Sequence, residues 1–257
     1  MVELGLEPHE ITIVSGIGQA AKLPHYTRCN TFNGLHGRTL PVATGLRLAN
    51  HGMMVIAEAG DGDCYGEGGN HLLHAIRRNI NVTMMVHDNQ IYGLTKGQAS
   101  PTSGQGMVTK VQPFGVLAEP LNPVALAVAL DCSFVARGYV GDAAFLKELI
   151  KEAVRHQGFA LLDILQPCVS FNHLNTFKWY GDRVYHIGDD HDPGDREAAF
   201  RLALEFGDRI PNGIIYRHER PTLEQQHPAI GGKEPLVRQP FSPMDFVSDL
   251  ESFSQKA

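Results

Sequence analysis

The chain has 257 residues, 43% of them hydrophobic and 19% charged, enough to bury the core of one large α/β domain or two small ones. A formal net charge of -6, with no stripe of Lys and Arg, excludes a nucleic-acid surface, since phosphate binding needs clustered cations. No apolar run approaches the roughly 20 residues of a membrane span, and the opening MVELGLEPHE lacks the basic and apolar regions of a signal peptide, so a cytoplasmic protein with no membrane partner is expected. Cys29, Cys64, Cys132 and Cys168 show no Cys-x-x-Cys spacing, which suggests free thiols rather than a disulfide framework or a self-contained zinc site.

In chain order, residues 10–15 (EITIVS) read as a buried strand that breaks into Gly16, and residues 22–38 as a loop. Residues 40–50 have helical spacing. Residues 53–59 form an apolar run of strand length ending at Gly60; a helix over 69–78, a strand over 82–87 and a long loop over 89–120 follow. Loops of that length are usually functional or disordered. Asn122 and Pro123 predict the cap and first position of a helix to residue 130, followed by a strand over 133–138, an amphipathic helix over 143–156 and a buried strand over 159–165. Strands alternating with helices predict an α/β fold, a mostly parallel sheet covered on both faces, with ligands at the carboxyl ends of the strands. Beyond Cys168 the pattern weakens to one helix near 195–206 and a Pro-punctuated polar tail. The expected division is a main domain over 1–190 and an extension over 191–257 packing on that domain or on a partner subunit.

The chemistry concentrates where Gly60-Asp61-Gly62-Asp63 is followed, twenty-eight positions after Asp61, by Asn89-Gln90-Ile91-Tyr92-Gly93-Leu94. The first segment ends one expected strand and the second ends the next. A hard divalent ion prefers oxygen ligands, and Mg is commonly held by one or two side chains plus phosphate oxygens. Asp61 and Asn89 suit that role, and the glycines let main-chain N–H groups approach a phosphate. A Gly-rich turn with incidental acids is the plain alternative, weakened by the flanking strands and helix. An EF-hand fails because Tyr65 and Leu72 stand where its carboxylates belong. Gly16-Ile17-Gly18 lacks the acidic partner of a dinucleotide fingerprint.

GDG with a downstream Asn resembles the thiamine diphosphate motif, which adds the backbone carbonyl of Ile91 as a third Mg ligand. Wider agreement, in SGIGQAAKLPHY, GLHGRTLPVATGLRLAN, GDGDCYGEGGNH, AIRRN and NQIYGLTKGQASPTS, runs from about Ile11 to Asn172 and resembles the β subunits of 2-oxoacid:ferredoxin oxidoreductases. That resemblance implies a thiamine-diphosphate-binding fold in which Ile17, Gly18, Gln19, Ala20 and His36 line the thiamine side, and Gly62, Asp63, Gly93 and Leu94 touch the diphosphate. His36 alone would read equally as a turn cap; Lys96 reads either as a solvated lysine or as a cation facing a phosphate or a substrate carboxylate. The implied activity is CoA-dependent oxidative decarboxylation of a 2-oxoacid with ferredoxin as acceptor, in a heterodimer whose α subunit, with γ and δ chains in some members, supplies the glutamate on the aminopyrimidine. The alternatives are a non-oxidative decarboxylase or synthase subunit, or a non-catalytic subunit keeping the fold.

The family's four-iron, four-sulfur cluster is held by an N-terminal Cys-x-x-Cys, a cysteine within GIGC and one in QPCVSFN. Here only Cys168 stands at such a position, and Gln19 occupies the place within GIGC. The chain as given begins where the family is already in its first helix, as a truncated gene model would. No cluster is expected in it, because cubanes take four thiolates in most cases.

Overall fold

The runs ITIVS, MVIAEAG, TMMVHD, FVARGY and ALLDIL all become strands: β1 (Ile11–Ser15), β3 (Met54–Gly60), β4 (Thr83–Asp88), β5 (Phe134–Tyr139) and β6 (Ala160–Leu165). They are buried almost end to end, the pattern a parallel sheet acquires when helices cover both faces. This computed structural model describes residues 2–240 and 243–254. The sheet has eight strands in the order β2-β1-β3-β4-β6-β5-β8-β7, every pairing parallel except β5 with β8. β2 is Asn30–Asn33, β7 is Val184–His186 and β8 is Ile210–Arg217.

Helices α1 (Thr39–Ala49), α2 (Gly69–Arg78) and α3 (Pro123–Ala129) pack on one face, where Val55, Ala57, Ala59, Val86, Val135 and Leu161 point. α4 (Ala143–Arg155) covers the other, against Ile13, Ile56, Met85, Leu162 and Ile164. As the spacing suggested, Asn122 caps α3 by accepting the Ala125 N–H at 2.9 Å. The segment 22–38, expected as a loop, carries part of a 3-10 helix (Ala20–Tyr26) and β2; all four β2 residues are exposed, so no buried alternation marked it.

The polar tail likewise hides structure. After α5 (Phe177–Gly181), α6 (Arg196–Ala203) sets Ala199 and Ala203 into the first core, and β8 lies antiparallel to β5. Then α7 (Leu223–Gln226) places Glu224, 4% exposed, against Arg47 at 2.8 Å and under the Asn81 N–H. α8 is Pro243–Ser254. Among the described residues, no helix is long and apolar enough to cross a membrane.

A buried polar knot closes the amino-terminal edge of β5 and β6. Asn79, at φ 52 after α2, accepts from Ser133 Oγ at 2.7 Å and from the Phe159 N–H at 2.9 Å, and His156 Nε2 lies 2.8 Å from Ser133 Oγ. Burial, then the positive charges of Arg217 and His218, push the His156 imidazole down to about 4. The unfolded chain has the ordinary value near 6.5 and binds the proton more readily, so stability is lost as pH falls from about 6.5 towards 4, by up to about 3 kcal/mol. Urea denaturation at pH 7 and pH 4.5 should show that loss in the wild type and a smaller one in His156→Gln.

Candidate active site

β3 ends at Gly60, Asp61 opens the turn, and Gly62–Glu67 wind as a π-helical turn directly into α2. Such π turns are frequent at functional sites. Only glycine fits at position 62, because a Cβ there would stand 2.2 Å from Tyr92 Cε1. Tyr92 in turn donates to the Gly62 carbonyl at 3.2 Å, so the loop after β4 clamps the turn after β3.

Asp61 is 1% exposed, and burial pushes its carboxyl up to about 6 against the lowering bonds of Ser100, Thr102 and the Gly62 and Asn89 N–H groups. Thr102 Oγ1 lies 2.7 Å from Asp61 Oδ2 and 2.8 Å from Asp88 Oδ1. One hydroxyl has one proton to give. Burial, then the negative charges of Asp163 and Asp61, push Asp88 far up, which favours the protonated form that can give the second proton. Asp163 is also raised by burial, although Arg137, 3.7 Å away, and the Tyr65 hydroxyl, at 2.7 Å, work against it. Of the three buried carboxyls, Asp163 is the one with a guanidinium beside it.

Asp63 is on the same wall but its carboxylate is engaged by protein: the Gly37 N–H at 2.6 Å, the Ile17 N–H at 3.2 Å and His36 Nδ1 at 2.9 Å. It staples three loops together. Asn89 Oδ1 accepts from the Ile91 N–H at 3.1 Å, and Asn172 Nδ2 holds the Asn89 carbonyl at 3.0 Å.

A cavity of about 410 Å³ at the carboxyl ends of β1, β3, β4 and β6 gathers Ile17, Gly18, Gln19, Ala20, His36, Gly62, Asp63, Gly93 and Leu94 with Asp61, Asn89 and Ile91; Cys168 lines it too. Lys96 is not on its wall. It stands exposed at φ 84 just beyond Leu94 and Thr95, which are. Spacing did not disclose Thr102, Asp88 or the pair Glu58–His87. His87 Nε2 lies 2.9 Å from Glu58 Oε1 and Nδ1 meets Gln166 Oε1. Burial disfavours the charged imidazole, but the bond and charge of Glu58, with Gln166, leave His87 raised.

The donor set fits a hard divalent ion: Asp61 and Asn89 with the Ile91 carbonyl are all oxygen, beside an excess of buried carboxyls that a dication would offset. A glycine-lined cradle fits a diphosphate. A four-thiolate cluster does not fit. Cys64 and Cys132 are core residues whose thiols burial raises, Cys132 to about 12, and Cys29 lies beside Thr27, off the cavity wall. Among the described residues no three His, Cys, Asp or Glu side chains stand together for a metal ion.

Fold and site together define a thiamine-diphosphate enzyme domain. Residues 14–164 match the model of the thiamine pyrophosphate enzyme C-terminal TPP binding domain, and residues 168–231 match that of the C-terminal region of the pyruvate ferredoxin oxidoreductase beta subunit. The 2-oxoacid:ferredoxin oxidoreductase subunit beta of a Sulfolobus species is 43% identical over 240 residues, 88% of this chain and 79% of its own length. The 2-oxoacid:ferredoxin oxidoreductase 2, subunit beta, of Aeropyrum pernix is 44% identical over 87% of this chain and 76% of that one. The solved 2-oxoglutarate:ferredoxin oxidoreductase of Magnetococcus marinus, with 2-oxoglutarate, coenzyme A and succinyl-CoA bound, superposes with a TM-score of 0.89 at 36% identity, over 96% of this chain and 84% of that one. The chain belongs to the β subunits of the 2-oxoacid:ferredoxin oxidoreductases, a thiamine-dependent oxidoreductase family.

Thr102→Val removes the hydroxyl that bridges Asp61 and Asp88. Leaving buried carboxyls without their bond should cost about 2–4 kcal/mol, read as a lower urea midpoint in metal-free protein, with Thr102→Ser restoring most of it.

Proposed function

We propose that this chain holds thiamine diphosphate through Mg bound by Asp61, Asn89 and the Ile91 carbonyl, and with an α subunit oxidatively decarboxylates a 2-oxoacid, passing the acyl group to CoA and electrons to ferredoxin. The observation that carries the reading is the buried, incompletely compensated Asp61 carboxyl at the floor of a glycine-lined cavity, on the chain's only stretch combining GDG with a downstream Asn. Thiamine diphosphate, when bound, supplies the carbanion chemistry, and the protein supplies binding and orientation.

Asp61 and Asn89 bring oxygen ligands to the metal from adjacent parallel strand ends, where Gly60 is in register with His87, two residues before Asn89. Gly62, the Asp63 backbone and Gly93 border the diphosphate. Ile17 to Ala20 and His36 form the wall towards the thiazolium end. His36 Nδ1 lies 2.9 Å from Asp63 and 3.2 Å from Glu67, so one ring nitrogen is directed at both carboxyls. Lys96, exposed two residues beyond Leu94, is the cation offered to the substrate carboxylate. 2-Oxoglutarate, CoA and succinyl-CoA, seen in the Magnetococcus relative, are the substrate set to try first.

In the complex with its α subunit, Asp61→Ala should weaken thiamine diphosphate binding by about 100-fold or more, since it removes a charged metal ligand. Calorimetry with and without Mg measures it, and CoA-dependent ferredoxin reduction should fall in parallel. Equal binding by wild type and variant, each insensitive to Mg, would falsify the assignment.

A further inference from the structure

The turn that carries Asn89 and Ile91 is held by residues well removed from it in the chain. Gln90, between them, sits in the left-handed region at φ 58, an uncommon conformation for a residue with a side chain and one that persists where its surroundings fix it. Its carbonyl accepts from Ser103 Oγ at 2.5 Å, and the Asn89 carbonyl accepts from Asn172 Nδ2 at 3.0 Å. Asn172 lies 83 positions beyond Asn89 and is 1% exposed, as is Ser103. Backbone groups settle which way its amide points: Oδ1 accepts from the Leu174 and Asn175 N–H groups at 3.1 and 3.0 Å, which leaves the NH2 end for Asn89 and for Asn175 Oδ1 at 3.1 Å. Beside it, Phe171 packs on the far end of the same loop, where a Cβ on Gly97 would stand 3.3 Å from its ring. The cavity wall over residues 166–171 is thereby joined to the Asn89 turn at two points.

We propose that Asn172 is a positioning residue for the metal: its amide fixes the Asn89 carbonyl, and with it the peptide path that presents the Asn89 side chain and the Ile91 carbonyl, while Ser103 fixes the Gln90 carbonyl between them. This rests on the thiamine- and Mg-dependent reading of the same cavity. Asn89 and Ile91 stand two residues apart, so a rotation of the peptides between them moves both oxygens together. Polar partners behind a ligand set commonly change metal affinity by about 10–100-fold. Neither Asn172 nor Ser103 lines the cavity, so the loss of either acts through the turn. A purely structural duty of Asn172, closing the turn over residues 172–175, is the competing account. Asp at this position separates the two, because it keeps an oxygen for the Leu174 and Asn175 N–H groups and replaces the donor to Asn89 with a second oxygen.

The test uses the complex with its α subunit, stripped of metal and then titrated with Mg at fixed thiamine diphosphate, binding of the cofactor being followed by calorimetry. A parallel titration with Mn counts the free ion by electron paramagnetic resonance, and neither readout depends on turnover. Asn172→Asp, at pH 8 to keep the new carboxyl ionised, should raise the Mg concentration for half-maximal cofactor binding by about 10–100-fold and weaken Mn binding alike. Asn172→Ala should do the same and also lower the urea midpoint of the metal-free complex, since it loses the turn as well. Ser103→Ala, which leaves that turn intact, should shift the Mg dependence in the same direction by a smaller factor. Wild-type Mg and Mn dependence in both Asn172 variants overturns the proposal, even where the urea midpoint falls, and leaves Asn172 with its turn alone. If neither Asn172 variant assembles, Ser103→Ala decides: a wild-type metal dependence there overturns the proposal too. A wild-type complex that binds no thiamine diphosphate, or binds it without Mg, sinks the underlying functional reading instead, so the two failures are separable.

Discussion

Three carboxyls, Asp61, Asp88 and Asp163, are buried at and below the floor of the cavity with one buried guanidinium, Arg137, beside Asp163, and each carboxyl is pushed up by its burial. Isolated charges cannot be left in such surroundings: they are paired, protonated or matched by a metal ion. The molecule draws on the first two devices, with Arg137 beside Asp163 and, behind Thr102, an Asp88 carboxyl pushed far up towards its protonated form. Asp61, which faces the cavity, is suited to the third. Much of the surrounding architecture follows from satisfying these groups. The long segment after β4 has little regular structure, yet Thr102 reaches back to Asp61 and Asp88, and Ser103 donates to the Gln90 carbonyl. A loop anchored at its middle by charge is ordered without needing a helix or strand of its own.

The turn carrying Asp61 is fixed from the opposite side by Asp63. Two residues apart at a π-helical turn, the carboxyls take different tasks: Asp61 lines the cavity, and Asp63 gathers the backbone of Ile17 and Gly37 with the His36 ring. Space enforces the arrangement, since a Cβ on Gly16 would stand 1.7 Å from Asp63 Oδ2 and one on Gly62 would enter the Tyr92 ring. Glycines in these segments therefore serve close approach as much as phosphate contact. The same letters that match a cofactor motif also describe a packing constraint between three loops.

That double meaning explains what was legible in the sequence. Continuous apolar runs and helical spacing disclosed β1, β3, β4, β5, β6 and the helices between them, because two-sided burial leaves an unmistakable composition. β2 escaped because its four residues are exposed at the sheet edge. β8 escaped because IPNGIIYR carries Pro211 and Gly213, which read as turn signals; Gly213 instead sits at φ 149, where a Cβ would be 3.2 Å from Ile187. Within the site, Asp61 and Asn89 announce themselves by spacing from strand ends. Thr102 lies thirteen positions past Asn89 in a stretch without periodicity, and only the fold shows that its hydroxyl bridges two acids. Glu58 and His87 are hidden for the opposite reason: each lies inside an apolar strand, where a polar residue has no partner until the neighbouring strand is placed.

The register of β4 holds the two polar systems apart. Its side chains alternate between faces, so Met85 and His87 point to the α4 side while Val86 and Asp88 point to the side of α1, α2 and α3. Consecutive residues thus carry opposite duties: His87 joins Glu58 and Gln166 on one face, and Asp88 joins Thr102, Asp163 and Arg137 on the other. Glu58 and Ile56 share the first face, and Asp163 and Leu161 share the second, so the alternation agrees across β3, β4 and β6. A slip of one residue would exchange the systems, placing His87 among buried acids and a protonated carboxyl beside Gln166. Both networks are therefore register locks as well as parts of the site. Because they meet at the strand ends where β3 breaks into Gly60, Asp61 and the Gln19 wall are set relative to one another by the sheet itself.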